Sequence, residues 1–273
     1  MRRTGRRSST RGAVVLAALA IVLSGVRPAR ALDVFTLWKQ PQVPLRLVEG
    51  AWADYRFQVM ASGRQEESIT RVACLGPEAG TDARAWVVEV LPLREVAPGR
   101  LEPVPGEGLR LKLSRRLASR TGNLLDHVLE ARQWTAGRAT ELAPADLRND
   151  PLLADSFNEE FTAATVTRGT PTTRVVGGAQ YFCEQVVMAA ADTQVARLPA
   201  GQVRQVTTRE LTAATNDDLP FLGLAYASER IRSESTVEPA AGRLRPPPGR
   251  IRVEIMELVA HGQGARAALG QGD

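Results

Sequence analysis

The chain has 273 residues and two cysteines, Cys74 and Cys183. Whether these two side chains are thiols or form a disulfide depends on the cellular compartment. In an oxidising compartment they would form a disulfide, and a loop of roughly 110 residues closed this way is worth about 4–5 kcal/mol in the chain-entropy model. A redox pair would show Cys-x-x-Cys spacing, which is missing. A zinc site would need nearby histidine and acid ligands, and the two histidines lie far from both cysteines in the sequence. The sequence therefore predicts a structural disulfide between Cys74 and Cys183, with two separately buried thiols as the alternative.

Motifs of catalysis are missing from the sequence. It contains no phosphate-binding loop, no Gly-x-Ser-x-Gly nucleophile elbow and no His-Glu-x-x-His zinc motif. Gly262–Ala267 has the letters of a dinucleotide fingerprint, but too few residues follow it for the helix and ribose-binding acid that complete that motif. We expect a protein that is not an enzyme and has no metal site and no cofactor. An active site assembled from distant residues, around His127 or Cys183, is the alternative.

The first 31 residues have the order of a secretory signal peptide. A basic segment is followed by the apolar run Ala13–Leu23 and by the small-x-small site Ala29-Arg30-Ala31. The apolar run is shorter than the roughly 20 residues that span a bilayer, and no later segment approaches that length. We therefore expect a signal peptide over residues 1–31, a periplasmic location, and no transmembrane segment in the mature chain.

The net charge of +5 comes from this leader, which holds seven arginines and no acid. The remaining chain has 28 basic and 30 acidic side chains, a net charge of −2. Negative charge removes the electrostatic term that supplies most non-specific affinity for nucleic acid. The sequence therefore predicts no nucleic-acid partner.

Alternation of apolar and polar side chains, typical of half-buried strands, dominates the mature chain. The stretches Ala53–Val59 and Leu109–Leu113 both show it. Ser62-Gly63 predicts the turn of a hairpin, and Gly177-Gly178 predicts a second turn. A loop is predicted over Glu238–Gly249, because the run Pro246–Pro248 within it cannot donate to a strand ladder. The pattern as a whole predicts about nine strands.

One segment, Asn123–Trp134, predicts a helix, because its apolar residues recur at helical spacing behind an N-cap at Asn123. Short helical turns are predicted at Pro144–Leu147 and Pro151–Phe157. No long linker divides the chain, so residues 32–273 are predicted to form a single domain with a flexible C-terminal tail over 262–273. The predicted fold class is α+β and sheet-dominated: a single curved antiparallel β-sheet, an unclosed barrel of about nine strands, packed on one or two helices.

Three short stretches carry a family resemblance. Gly50–Arg56 opens the sheet, Pro220–Ala225 leads into a late strand, and Glu257–Gly262 belongs to the last strand. These stretches resemble exported bacterial proteins whose fold is similar to that of the periplasmic lipoprotein carriers LolA and LolB. The carriers have an unclosed antiparallel barrel wrapped over a few helices. The resemblance implies this fold and, from the fold, a lipid or an acylated protein as client.

A curved sheet with one apolar face can leave a groove for an apolar ligand. The residues that we expect to line it are aromatic and aliphatic: Tyr55, Phe57, Leu111 and Leu113. Alternatively, the same side chains pack against the predicted helix as ordinary core. We expect a soluble periplasmic protein that binds an apolar ligand or a lipoprotein-like client in a half-barrel groove.

The alternative function is a non-catalytic envelope module that binds another protein. Its basis is the open edges of the sheet and the arginine-rich loop Arg243–Arg250, which an acidic partner would contact.

Overall fold

The chain is described by a computed structural model that covers residues 46–78, 85–114, 127–143, 165–198, 201–221, 223–239, 246 and 248–270. All of these residues belong to one compact unit. Thirteen strands make up most of the described residues. They are β1 (Trp52–Ala61), β2 (Arg64–Pro77), β3 (Ala85–Ala97), β4 (Arg100–Pro103), β5 (Gly108–Ser114), β6 (Val128–Thr135), β7 (Arg138–Leu142), β8 (Thr165–Arg168), β9 (Thr172–Val176), β10 (Ala179–Leu198), β11 (Gly201–Thr215), β12 (Leu224–Pro239) and β13 (Arg250–Gly262).

The strands form one antiparallel sheet in the order β7-β6-β5-β3-β2-β1-β13-β12-β11-β10-β8, with β4 paired to β3 and β9 paired to β10. The first and last strands along the sequence are neighbours: Phe57 on β1 faces Met256 on β13. The two ends of the order, β7 and β8, are not hydrogen-bonded to each other, so the sheet is unclosed. The predicted unclosed antiparallel sheet is therefore found, with four strands more than expected.

The predicted fold class is wrong in its helical part, because the described residues contain no helix packed on the sheet. The segment predicted as a helix, Asn123–Trp134, supplies strand β6 from Val128 onward, while its first residues lie outside the described part. A register shift lets Leu113 face Val128, while Leu111 faces Ala131. This bulge inserts one extra residue, Leu129, so Val128 and Ala131 share one face although they are three positions apart. Trp134, three positions further, is buried on the opposite face, and the three residues together imitate helical spacing.

The four additional strands are β4, β6, β7 and β9. All but β6 are short partners in tight hairpins, and a strand of four or five residues offers too few positions for alternation to be visible. The two helical turns predicted within 144–157 and the signal peptide lie outside the described residues. Of the predicted loop Glu238–Gly249, the first two residues belong to the end of β12 instead, whereas Pro246, Pro248 and Gly249 lie outside the strands and are exposed.

One face of the sheet, which we call the inner face, carries the main apolar cluster. Directly opposed residues of an antiparallel pair share a face, so the register traces it from strand to strand. One row across five strands consists of Phe57, Met256, Ala227, Ala213 and Val186. The first four of these side chains are buried, and Val186 is half-buried. The inner face is therefore the place where the sheet buries most of its apolar surface.

A hairpin of β9 with the first residues of β10 lies against β12 and β13. Its turn donates a backbone hydrogen bond from Gly177 to the Val259 carbonyl at 3.2 Å. The Tyr181 hydroxyl lies 2.9 Å from Nε2 of His261 on β13. The opposite side of this hairpin exposes Val175 and Phe182, the latter at 68%.

The C-terminal segment after β13, Gln263–Gly270, lies along the other face of the sheet, which we call the outer face. The sequence predicts a flexible tail here, but Leu269 is buried at 4% exposure and Ala265 donates a backbone hydrogen bond to the Gly50 carbonyl at 2.8 Å. The four glycines within 262–273 made this tail look unstructured, and the contacts that hold Gln263–Gly270 come from residues far away in the chain.

Candidate functional site

The four residues predicted to line a groove lie on the inner face and are all buried. Tyr55 and Phe57 are on β1, whereas Leu111 and Leu113 are on β5. Strands β2 and β3 separate the two pairs, which places them about 14 Å apart at the usual strand spacing. The structure thus places all four in the one apolar cluster of the inner face, with the two pairs on strands that are not neighbours. A ligand that touches them must displace the atoms that now cover them.

Tyr55 carries the most unusual polar group of the inner face. Its side chain is 0% exposed, and its hydroxyl finds no hydrogen-bond partner in the part of the chain that the structure describes. Burial raises the pKa of this phenol well above its ordinary value, so the group is a neutral O–H that can donate one hydrogen bond and accept another. Leaving such a group unpaired costs about 1–3 kcal/mol. An arriving polar atom would recover that cost.

The inner face becomes charged toward one end. Beyond Phe57, Val59 faces Glu254 on β13, and Glu254 in turn faces Glu229 on β12. Both carboxylates are buried, and Arg252 forms an ion pair with Glu254. Along β1 and β13, therefore, an apolar surface ends in a charged one, which is the arrangement that an amphipathic molecule would match.

Cys74 and Cys183 are free thiols in this structure, so the predicted disulfide is not formed here. Both are buried within the inner-face cluster, and burial raises the pKa of each thiol. Such protonated thiols are poor nucleophiles and poor metal ligands. Titration of denatured, unreduced protein separates the bridge from the alternative, since it finds no thiol with the bridge and two without it.

The two histidines lie apart. His261 meets Tyr181, and the two rings have an edge-on arrangement at 5.8 Å between centroids. His127 precedes β6 and is half-buried. In the described ranges no group of three or more histidine, cysteine, aspartate or glutamate side chains has an arrangement that would hold a metal ion.

A second polar cluster, on the outer face, was not predicted from the sequence. The Glu89 carboxylate on β3 is 0% exposed and accepts hydrogen bonds from Nε and Nη2 of Arg110 on β5, at 2.9 and 2.6 Å. The same carboxylate accepts the backbone N–H groups of Ala268 at 2.9 Å and Leu269 at 3.4 Å. Arg110 also donates to the Leu269 carbonyl and lies 5.2 Å from the centre of the Trp134 ring. Together these bonds fix both polar atoms of the Leu269 backbone.

The outer face continues this pattern on β1 and β2. Asp54 is 2% exposed and accepts two hydrogen bonds from Arg71, at 2.7 and 2.8 Å. The Arg71 guanidinium lies 4.4 Å from the centre of the Trp52 ring, and the Trp52 indole donates to the Gln263 carbonyl at 3.3 Å. A tryptophan beside an arginine–carboxylate pair therefore contacts each end of the C-terminal segment: Trp52 contacts Gln263, and Trp134 contacts Leu269.

One signal in the sequence points to this cluster. Glu89 stands between valines in Trp86–Leu91, a strand with apolar residues on both faces. A charged residue in such a strand indicates a buried and paired carboxylate. Its partners Ala268 and Leu269 are about 180 residues away, so the sequence alone could not supply them.

Helices long and apolar enough to cross a membrane do not occur among the described residues. No protein-family model matches the chain, and no curated protein matches it. A LolA superfamily protein from Nitrosomonas europaea matches over 85% of this chain and 93% of its own, with 11% identity and a TM-score of 0.27. A putative exported protein with a YmcC-like fold from Bacteroides fragilis matches over 81% and 99%, with 8% identity and a TM-score of 0.18. The first of these has the LolA name that the sequence resemblance suggested, but both superpositions are loose, so the architecture rests on the strands described above.

Proposed function

We propose that the chain is an exported, non-enzymatic periplasmic protein that binds an apolar ligand, or the acyl group of a lipoprotein-like client, on the inner face of its sheet. The observation that carries this proposal is the Tyr55 hydroxyl, buried and without a partner in the described structure, within an apolar cluster. The leader at residues 1–31 supports the exported location.

The architecture supports entry of a ligand. Among the described strands, the sheet ends at β7 and β8, which are not paired with each other, so its curvature can change without breaking a ladder between them. Each methylene group that moves from water to an apolar surface contributes about 0.8 kcal/mol. A long acyl chain therefore supplies enough free energy to displace side chains that cover the inner face.

The polar features restrict the chemistry of the ligand. A single buried hydroxyl at Tyr55 favours a molecule with one hydrogen-bonding group, such as a carboxyl, ester or hydroxyl group, attached to an apolar body. Glu254 and Arg252 lie toward one end of the same face and would meet a polar head group. The ligand class that fits is a fatty acid or an acylated molecule.

Tyr55→Phe is the variant that tests this function. It removes only the hydroxyl, so we expect the dissociation constant of cis-parinaric acid, a fluorescent fatty acid, to rise about 5- to 10-fold, which is the effect of one lost hydrogen bond. The ligand-free variant should unfold at an equal or higher temperature than the wild type, because an unpaired buried group has been removed. Binding is measured by fluorescence titration of the mature protein.

Tyr226→Phe is the matched control. Tyr226 is half-buried, and its ring is covered by Arg174 at 4.0 Å, so the affinity for the fatty acid should not change. Absence of saturable binding by the wild type would reject the proposed ligand class. Equal affinities of wild type and Tyr55→Phe would reject the role of the hydroxyl.

A further inference from the structure

The C-terminal segment Gln263–Gly270 crosses the outer face without joining the sheet. Its carbonyl at Gln263 accepts the Trp52 indole N–H, Ala265 donates to Gly50, and Ala268 and Leu269 donate to Glu89. The segment is therefore recognised mainly through its backbone, which is how proteins bind extended peptides.

The carboxylate that receives the segment is positioned by the sheet itself. Glu89 and Arg110 are directly opposed on β3 and β5, and their ion pair does not involve the segment. When the segment leaves, the Glu89 charge keeps its partner and gains water. The Glu89 carboxylate is thus in position to accept two peptide N–H groups before a peptide binds. When a peptide leaves, this carboxylate is still paired with Arg110 and is not left as an unpaired buried charge.

A small apolar pocket beside this acceptor takes one side chain. Leu269 packs with Leu91 and Trp134, and it is buried to 4% exposure, whereas Arg266 and Ala268 in the same segment are exposed. A side chain at Gly108 would meet Leu91 and Leu269 at 3.0–3.2 Å, so this glycine leaves the space for the leucine. After the leucine, Gly270 has a φ of +69°, a left-handed backbone conformation that favours glycine. The site therefore selects leucine followed by glycine.

We propose that this outer-face site is a peptide-recognition site for an extended segment of a partner protein that presents leucine followed by glycine, and that the chain's own C-terminal segment is its resident occupant. The resident segment buries one side chain deeply, that of Leu269, and it contains near its start a glycine with a positive φ, Gly264 at +85°. These features let it exchange with the same chemistry supplied by another chain. The proposal concerns the outer face and does not depend on the inner-face function.

The experiment uses the full chain with Leu269→Asp, which removes the apolar contact of the resident segment. A fluorescent synthetic peptide with the sequence of residues 263–270 is the probe, and binding is measured by anisotropy. We expect saturable binding by this variant. The same peptide with aspartate in place of its leucine should bind at least about tenfold more weakly, because it lacks the pocket contact.

Adding Glu89→Gln to the variant should weaken binding by about tenfold, because hydrogen bonds to a charged group are lost. Adding Glu102→Gln, which alters an exposed ion pair with Arg100, should leave the affinity unchanged. If the folded Leu269→Asp variant does not bind the peptide, or binds a scrambled peptide equally well, the proposal is rejected.

A second measurement keeps the test valid if Leu269→Asp fails to fold. Excess peptide is added to the wild-type chain, and the rate of trypsin cleavage after the exposed Arg266 is followed by mass spectrometry. Displacement of the resident segment should accelerate this cleavage several-fold relative to the scrambled peptide. An unchanged rate at saturating peptide would overturn the proposal.

Discussion

Arg110→Met should lower the free energy of unfolding by about 3–5 kcal/mol, the loss that is typical when one partner of a buried ion pair is removed. Arg110 donates two hydrogen bonds to a carboxylate, Glu89, that is 0% exposed, and a third to the Leu269 carbonyl. Methionine fills similar space but leaves the charge of Glu89 with only the backbone N–H groups of Ala268 and Leu269. Release of the C-terminal segment would hydrate Glu89 and bring the loss to the lower end of this range. Urea unfolding measures it.

Arg100→Met is the matched control for this variant. Arg100 forms an ion pair with Glu102 at 2.6 Å, but its side chain is 71% exposed, and exposed pairs contribute about 0–1 kcal/mol. If the two arginine variants lost the same stability, Glu89 could not be a buried charge that depends on Arg110, and the outer-face cluster would be rejected.

Leu111→Ala should lower the free energy of unfolding by about 2–5 kcal/mol, because it removes three buried carbon atoms and leaves a cavity. Leu111 is 1% exposed on the inner face, between Val88 on β3 and Ala131 on β6. Neighbouring strands fix the backbone of β5 on both sides, so the surrounding side chains have little freedom to fill the space.

Leu129→Ala provides the comparison for the same chemical change. Leu129 is the extra residue of the bulge on β6, and it is 57% exposed, so we expect a loss within about 0.5 kcal/mol. Equilibrium unfolding in urea is suitable for both variants. A loss below 1 kcal/mol for Leu111→Ala would mean that the inner face is not tightly packed at its centre, contrary to the buried cluster described above.

Local patterns predicted the parts of the fold that depend on neighbouring residues. The alternation in β1 and the Ser62-Gly63 turn gave the β1–β2 hairpin correctly, and both turn residues have the positive φ that such a tight turn requires. The Gly177-Gly178 turn between β9 and β10 is confirmed in the same way. In these hairpins the residues whose pattern predicts the structure are close in sequence and also pair with each other in the sheet.

The errors arise where an element from a distant part of the chain decides which residues of a strand are buried. The bulge opposite Leu113 changed the spacing of buried residues in β6 from two to three, and the sequence of β6 alone does not reveal its partner. Trp134 added to the helical appearance, but it lies on the outer face, where Leu269 covers it. The predicted groove residues do share an apolar face, yet the alternation of one strand cannot tell a groove from a filled core.

The central claim, that the inner face binds an apolar ligand, is tested most directly by native mass spectrometry of the chain purified without detergent from the cells that naturally produce it. Organic extraction of the same sample identifies any bound molecule. We predict an adduct with the mass of a fatty acid or acylated molecule that extracts as lipid and is reduced in Tyr55→Phe but retained in Tyr226→Phe. The bare mass of the protein in every preparation would contradict the claim and leave the inner face as a filled core.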